Sequence, residues 1–256
     1  MTALITGATE GIGRAFALAL AAEGHTVTAV ARTERHLRTL VAELGPGGRD
    51  GEHNHLVADL STADGVRTVA DALTATPYDL LINNAGLACP GPFADTPLDL
   101  ALPALRLNCE AVVTLAHAFL GAARPGAALV NVASTLAFTP RPGQAVYSAT
   151  KAFVGSSSEA LWYEQRPRGV YVMALYPGPT ATRPGLHADL PAALVQPPEA
   201  VVATALTALR RRRRPTTIPG RANVLLAAAA RLLPRTAALA LLADGHGDAA
   251  PRSVHR

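Results

Sequence analysis

Short apolar segments alternate with longer helical patterns along this chain, and this alternation constrains its fold more than any other feature. Strands are predicted where β-branched and apolar residues cluster, at 2–6, 26–31, 55–58, 78–83, 127–133 and 170–176. Helices are predicted between them, at 12–23, 34–44, 62–75, 98–122 and 146–166. Because most strand segments are apolar on both faces, they are typical of a buried parallel sheet. The alternation predicts an α/β fold with a doubly wound, Rossmann-type parallel sheet and helices on both faces.

The chain continues past this pattern with a helical C-terminal segment. A helix is predicted at 199–214, and "TTIPG" (216–220) is a candidate for a last short strand. Residues 222–243 are apolar, but charged residues and a proline interrupt them, so no span approaches the ~20 residues that cross a bilayer. We predict two short amphipathic helices there. Residues 1–256 are thus expected to form a single domain, with 199–243 as a helical appendage and 244–256 as a flexible tail.

Composition and charge exclude several classes of protein. With 49% apolar and 16% charged residues the chain is globular rather than disordered, and two cysteines are too few for a disulfide framework. The N-terminus has no basic and long apolar segment of the secretory kind, so a cytoplasmic location is expected. The net charge of +4 owes much to Arg210–Arg214, which is either a solvated helix end or a contact for an anionic partner. No basic stripe with interleaved aromatic residues suggests nucleic-acid binding, and no metal site is predicted.

A glycine-rich segment, "TGATEGIG" (6–13), follows the first predicted strand and opens the first predicted helix. Gly7, Gly11 and Gly13 permit a tight turn and a close approach of the backbone to a pyrophosphate, which the start of the helix favours. The spacing differs from the common G-x-G-x-x-G pattern, but the position between strand and helix predicts a dinucleotide site. Thr9 and Ile12 are predicted to belong to it.

The end of the second strand predicts which dinucleotide is bound. Arg32 stands where an arginine would pair with the 2′-phosphate of NADP(H), with Thr33 beside it. The alternative is a surface arginine that opens a helix, and Glu34 is a nearby carboxylate that would favour NAD(H). We predict NADP(H).

Two further strand ends carry candidate cofactor contacts. Asp59, followed by Leu60, either accepts a bond from the adenine amino group or is a carboxylate near a helix start. "NNAG" (83–86) places Asn84, Ala85 and Gly86 where the chain passes the sugar of a cofactor, although asparagine is also a common turn residue.

Lys151 is the only lysine among 23 basic residues, and it follows Tyr147 by four positions in a helical pattern. The two side chains therefore project from one helix face. An ammonium beside a phenol favours the phenolate and lowers the pKa of the tyrosine toward the range of proton transfer. Ser134, at the end of the fifth strand, lies where a doubly wound sheet places its ligand crevice.

The ordered set of these motifs resembles the short-chain dehydrogenase/reductase family in its compact single-domain branch. The resemblance covers about residues 1–185 and rests on TGATEGIG, Asp59, NNAG, Asn108, Ser134, Tyr147-x-x-x-Lys151 and Pro177-Gly178. It implies that Tyr147 is the general acid, that Lys151 lowers its pKa and binds the nicotinamide ribose, and that Ser134 polarises the carbonyl. Asn108 would hold a water molecule that links Lys151 to solvent. The segment "YPGPTAT" (176–182) would cover the nicotinamide, with contacts from Pro177, Gly178, Thr180 and Thr182.

The sequence thus predicts an NADP(H)-dependent oxidoreductase that interconverts a carbonyl and an alcohol, with reduction favoured. Apolar residues in the loops at 87–97, 135–146 and 179–198 suggest a hydrophobic small-molecule substrate. The alternative is a non-catalytic NADP(H)-binding regulatory or scaffold protein. The family resemblance implies a homodimer through the helices at 98–122 and 146–166, whereas the long C-terminal segment puts the usual tetramer in doubt. Residues 210–243 could also associate with a membrane surface.

Overall fold

One parallel sheet with helices on both faces forms the centre of the molecule, in a computed structural model that describes residues 1–183, 185–187 and 190–243. These residues contain seven strands: β1 (Thr2–Thr6), β2 (Thr26–Ala31), β3 (Asn54–Val57), β4 (Leu80–Asn83), β5 (Ala128–Val132), β6 (Tyr171–Leu175) and β7 (Thr216–Thr217). Their order is β3-β2-β1-β4-β5-β6-β7, and every neighbouring pair is parallel. The predicted α/β fold is therefore confirmed, and the candidate strand in "TTIPG" is its last strand.

The helices lie close to their predicted positions. They are α1 (Gly11–Ala22), α2 (Glu34–Leu44), α3 (Ala63–Ala75), α4 (Leu98–Leu105), α5 (Ala111–Ala122), α6 (Ala145–Gln165), α7 (Pro198–Arg211), α8 (Arg221–Leu232) and α9 (Arg235–Ala243). Short 3-10 turns occur at Phe93–Asp95, Thr135–Ala137 and Arg166–Arg168. The tail predicted at 244–256 lies outside the described residues.

Two predicted helices differ from the observed ones. The predicted helix 98–122 is interrupted by a π-helical segment, Arg106–Glu110, between α4 and α5. The predicted helix 199–214 ends at Arg211, because Arg212 takes a left-handed conformation with φ +49° and Pro215 follows shortly after. The Arg212 guanidinium then donates to the carbonyl oxygen of Gly126 at 2.7 Å, which ties the end of α7 to the loop before β5.

The core lies on the two faces of the sheet, as the doubly apolar strands require. Alternate residues of β1 point to opposite faces, so that Ile5 packs with Phe16 of α1 and Val201 of α7. Leu4 packs on the other face with Leu73 of α3 and Phe119 of α5. All of these side chains are buried, and α7 therefore contributes to the main core.

The order of the strands places the loops that carry polar residues at one edge. The chain runs outward from β1 to β3 and then returns to pair β4 with the other side of β1. In parallel sheets the crevice outside the carboxyl ends at such a switch point is the usual ligand site. The loops that follow β1, β4, β5 and β6 meet there.

Candidate active site

The glycine-rich loop after β1 has the backbone conformation that a phosphate cradle requires. Gly7 and Gly11 have φ values of +63° and +54°, a region that residues with a side chain rarely adopt. A Cβ on Gly13 would lie 2.2 Å from the carbonyl oxygen of Gly7, so only glycine permits this packing of helix against loop. Ile12 packs against the core, and Thr9 is half-buried. The loop therefore fits the predicted dinucleotide site.

Asn84 holds this loop in place from the neighbouring strand end. Its Nδ2 donates to the carbonyl oxygens of Thr6 and Gly7 at 2.9 and 3.2 Å. The Thr6 hydroxyl oxygen in turn accepts from the amides of Asn84 and Ala85 at 2.9 and 3.0 Å. The side chain of Asn84 thus supports the cradle, and Thr6 is a supporting residue that the sequence reasoning missed although it ends the first strand.

The adenosine end of the predicted site is open. Arg32 and Thr33 are exposed, and the charge of Arg32 contributes to lowering the pKa of the Asp59 carboxyl. Glu34, the carboxylate that would favour NAD(H), already accepts two hydrogen bonds from Arg38, at 2.7 and 3.0 Å. Arg32 is the only cation between β2 and α2. Its one electrostatic contact with a carboxylate among the described residues is with Asp59, and no carboxylate lies within ion-pair distance of it.

Asp59 takes part in a turn that precedes α3. Its Oδ1 accepts bonds from the amide and the hydroxyl of Ser61, at 2.9 and 2.7 Å, and these bonds lower the pKa of its carboxyl although burial opposes them. Thr62, not Asp59, caps α3 by accepting from the amide of Gly65. The Leu60 side chain is buried in the core, so only its backbone is available to a ligand.

Tyr147, Lys151 and Ser134 converge at the edge of the sheet. Tyr147 and Lys151 lie on α6 with the Lys151 Nζ 5.7 Å from the centre of the Tyr147 ring. Lys151 is only 4% exposed, and its Nζ donates to the carbonyl oxygen of Val132 at the end of β5 at 2.8 Å. The side chain of Ser134 lies close enough to the Tyr147 hydroxyl to influence its pKa. The predicted catalytic side chains are therefore together.

Burial governs the protonation of this group. It lowers the pKa of Lys151 to about 8 and raises the pKa of Tyr147 above its ordinary value, while the interaction with Ser134 acts in the opposite direction on Tyr147. With only the protein's own groups acting on it, the pKa of Tyr147 is thus raised, whereas the sequence predicted that it would be lowered. The reason is that removal of the phenol from water outweighs the interaction with Ser134. Burial also raises the pKa of the Cys109 thiol, close to Lys151.

Asn108 lies in the π-helical segment and is fully buried. Its Oδ1 accepts from the amide of Leu87, and its Nδ2 donates to the Leu87 carbonyl and to the Thr150 hydroxyl, all at 2.9–3.0 Å. Both hydrogens of the amide are therefore used. A Cβ on Gly86 would lie 3.2 Å from Asn108 Oδ1 and 3.3 Å from Lys151 Nζ, so a glycine lets these two side chains approach the segment after β4.

The loop after β6 closes the site on its other side. The Pro177 carbonyl accepts from the amide of Thr135 at 3.0 Å, which joins this loop to the one that carries Ser134. Thr180 donates to the Gly178 carbonyl at 2.9 Å. A Cβ on Gly11 would lie 2.8 Å from the methyl group of Thr182, so the glycine-rich loop and this loop are in contact. The predicted residues from both sides are thereby brought together.

Two sets of contacts near the site were not anticipated from the sequence. A buried chain of polar groups runs beneath it, in which Asn83 donates to Asn131 at 3.0 Å and Asn131 donates to Ser158 at 2.9 Å. Asn223 of α8, 1% exposed, packs against Gly178, where a Cβ would lie 2.4 Å from its Oδ1. Asn83 ends β4 and Asn131 is the last residue but one of β5, which is a usable signal, whereas nothing local marks Asn223.

Comparison with known proteins agrees with this arrangement. The sequence profile of short chain dehydrogenases matches residues 1–187. A very-long-chain 3-oxoacyl-CoA reductase of Phaeosphaeria nodorum is 34% identical over 229 residues, which are 82% of this chain and 63% of that protein. A human protein named inactive hydroxysteroid dehydrogenase-like protein 1 is 30% identical over 185 residues, 70% of this chain and 56% of its own length. The chain thus spans less than two thirds of both relatives.

A solved structure is similar over almost the whole chain. A short-chain dehydrogenase from Sphingobium yanoikuyae in complex with NADPH has a TM-score of 0.77 and 34% sequence identity. The alignment covers 90% of this chain and 94% of that one.

Proposed function

This chain belongs to the short-chain dehydrogenase/reductase family, and on that basis we propose that it is an NADP(H)-dependent carbonyl reductase acting on a hydrophobic small molecule. One observation carries the proposal: Ser134 and Tyr147 interact one helical turn from the buried Lys151, beside a glycine-rich loop. A phenol, a hydroxyl and an ammonium in that arrangement are the groups that a carbonyl reduction requires from the protein.

The residues that would hold the cofactor lie on the segments that follow β1, β3, β4 and β6. Gly7, Thr9, Gly11, Ile12 and Gly13 would offer backbone to the pyrophosphate at the start of α1. Asp59, Leu60, Asn84, Ala85 and Gly86 would border the adenosine and ribose, and Pro177, Gly178, Thr180 and Thr182 the nicotinamide. The positive φ values of Gly7 and Gly11, and the close packing that excludes a Cβ at Gly13, support this assignment. When bound, NADPH supplies the hydride.

The side chains divide the remaining work. Tyr147 would donate its proton to the carbonyl oxygen of the substrate, and its raised pKa keeps that proton in place at neutral pH. Ser134 would hold the same oxygen by a hydrogen bond and polarise it. Lys151 would bind the ribose and stabilise the phenolate left on Tyr147. Asn108 would fix the turn of helix beside Lys151, and the proposed link of Lys151 to solvent through a water molecule at Asn108 remains part of this proposal.

The choice of NADP(H) rests on charge. Arg32 is exposed beside the predicted ribose and, although its charge acts on the Asp59 carboxyl, it forms no ion pair within 4 Å among the described residues, so it would be available to a 2′-phosphate. The carboxylate of Glu34 is held by Arg38 and does not compete for that position.

The proposed substrate class rests on the loops, and the proposed direction rests on Tyr147. Phe93 is 67% exposed in the loop after β4, and Leu136 and Phe138 border Ser134, so that the crevice offers apolar contacts to a carbonyl compound. The proton on Tyr147 at neutral pH favours reduction over oxidation in this proposal.

Assembly and location form the last part of the proposal. Leu98, Leu102 and Leu105 of α4 and Phe153 of α6 are exposed, each by more than 40%, and would pack in a homodimer formed through 98–122 and 146–166. Among the described residues no helix is sufficiently long and apolar to cross a membrane. We place the enzyme in the cytoplasm.

A non-catalytic binding protein is the second candidate, because the human relative is named inactive. If the protein is a carbonyl reductase, the purified protein should oxidise NADPH with at least one class of a panel that contains aliphatic, aromatic and steroid ketones and 3-oxoacyl thioesters. Replacing Tyr147 by Phe should abolish this turnover and leave the Kd for NADPH within about twofold, because the phenol hydroxyl acts on the substrate. Tight NADPH binding without turnover on any class would favour the non-catalytic protein instead.

A further inference from the structure

Side chains of the C-terminal helices contact the loop that carries Ser134. Arg235 at the start of α9 donates through Nη1 to the carbonyl oxygen of Phe138 at 2.8 Å. Arg231 near the end of α8 places its guanidinium 4.4 Å from the centre of the Phe138 ring. A cation at this distance over an aromatic face is attracted by the ring, and a charged donor makes a strong bond to a carbonyl. Both contacts therefore act on one residue, Phe138.

Phe138 is also in contact with the other loop of the site. Its ring lies 4.5 Å from that of Tyr176, between centres, with the planes tilted by 32°. The Tyr176 hydroxyl donates to Glu159 of α6 at 2.8 Å, which fixes its position. Arg231, Phe138 and Tyr176 thus form a column that begins on α8 and ends at the residue before Pro177.

A single turn of chain separates Phe138 from Ser134. The amide of Phe138 donates to the Thr135 carbonyl at 3.1 Å, and the amide of Ala137 donates to the Ser134 carbonyl at 3.0 Å. The Ser134 hydroxyl oxygen accepts from the amide of Leu136 at 3.2 Å. A displacement of Phe138 would therefore be transmitted directly to the Ser134 hydroxyl.

We propose that Arg231 and Arg235 are positioning residues for Ser134, holding Phe138 so that the Ser134 hydroxyl meets both Tyr147 and the carbonyl of the substrate. The proposal rests on the reductase function assigned to Ser134 and Tyr147 above. It gives the C-terminal helices a part in the reaction, although neither arginine contacts the reacting atoms. The glycine-rich loop is held separately by Thr6 and Asn84, so the proposed pyrophosphate site does not depend on this contact.

Substitutions on the two helices separate positioning from folding. Arg231→Met with Arg235→Met removes the cation and the donor but keeps the aliphatic stems. The conservative pair Arg231→Lys and Arg235→Lys keeps a cation over the ring and a donor near the carbonyl. Arg221→Met is the matched control, since Arg221 is exposed on α8 and has no hydrogen bond or ion pair among the described residues.

Amide hydrogen exchange of 135–138 measures the contact without reference to turnover. All four of these amides donate hydrogen bonds in the structure and should be protected. In the double methionine variant we expect exchange in this segment to be roughly tenfold faster, the effect of losing one charge-assisted bond. We expect kcat to fall by a similar factor with the KM for NADPH unchanged. The double lysine variant should recover most of the protection at 135–138 and most of kcat. Arg221→Met should have the exchange rates and the kcat of the original protein.

The outcomes distinguish this proposal from the reductase function. Faster exchange at 135–138 with a lower kcat and rescue by lysine would support it. Unchanged exchange, with turnover intact, would overturn the positioning role and leave the reductase standing. If the original protein oxidises no NADPH with any ketone while exchange still responds, the reductase function fails, and with it the role of these arginines in a reaction.

Discussion

The two halves of the sheet prepare the site in different ways. On the side of β1–β3 the site is made of backbone: glycines at positive φ, a helix start, and an exposed Arg32 at the rim. On the side of β4–β6 it is made of the buried side chains of Lys151, Asn108 and Asn131. They are almost fully removed from water, and each donates a hydrogen bond to a neighbouring strand or helix. In the first half the glycine positions leave no room for a side chain, whereas in the second half the site depends on which side chains are present. Substitutions in the first should therefore act through shape and those in the second through chemistry.

The sharpest test of the second half is Lys151→Arg. The Lys151 Nζ fits between the Val132 carbonyl and Gly86, and the larger planar guanidinium has a fixed charge and no room there. We expect kcat to fall by about 10²–10⁴, the usual contribution of a proton-transfer group. Steady-state kinetics measures this, with the exposed Arg221→Lys as the control for the reverse exchange. Activity within threefold of the original would show that charge alone is sufficient at this position.

The corresponding test of the first half is Gly13→Ala. The new methyl group would meet the Gly7 carbonyl at 2.2 Å and must displace the loop. We expect the Kd for NADPH to rise by at least tenfold, together with a loss of about 1–3 kcal/mol in the free energy of unfolding. Isothermal titration and urea denaturation measure the two effects.

Gly121→Ala is the matched control for that substitution. A Cβ on Gly121 of α5 would meet no atom within 4 Å, so this change should leave the Kd unaltered and raise stability by up to about 1 kcal/mol. If both alanine variants bound NADPH equally, the glycine-rich loop would not be the cradle proposed here.

A pH profile tests the buried half without substitution. The pKa of Lys151 is lowered to about 8, so its ammonium is present below that pH and is lost above it. We expect kcat/KM for reduction to be level near neutral pH and to fall by about tenfold per unit above pH 8. The decline should be absent from any residual activity of Lys151→Arg, because arginine stays protonated. A profile that stays flat to pH 10 would contradict the role of Lys151.

Arg32→Gln should give the smallest effect, because this residue is exposed at the rim. Loss of one charge-assisted contact to the 2′-phosphate is expected to raise the KM for NADPH by roughly tenfold and to leave that for NADH unchanged. An equal change for both cofactors would place Arg32 outside the phosphate site.

The sequence predicted the fold and the polar residues at the strand ends because their signals are local. Each signal lies within a short stretch of sequence: the periodicity of apolar residues, the spacing of the glycines, and the four-residue interval from Tyr147 to Lys151. It did not predict the π-helical segment around Asn108, because a wider turn within a helix leaves the apolar pattern of 98–122 intact. Nor did it reveal that the amide of Asn108 uses both of its hydrogens on Leu87 and Thr150.

The remaining contacts depend on tertiary structure. Asn223 packs against Gly178 from 45 positions further along the chain, and Arg235 bonds to Phe138 across 97. The direction of the pKa of Tyr147 likewise depends on how much water the folded loops exclude, which the spacing of Tyr147 and Lys151 does not specify.

The strand order also has a consequence for how the molecule assembles during synthesis. β1 is an inner strand of the sheet, and its second partner, β4, emerges from the ribosome more than 70 residues later. β2 and β3, which lie on the other side of β1, are synthesised before β4. The β1–β3 half can therefore form an early unit in which one edge of β1 is unpaired. That open edge persists until β4 docks. Strands that are far apart in the sequence pair slowly. We therefore expect the nascent chain to need a chaperone most in the time between the synthesis of β1 and its pairing with β4.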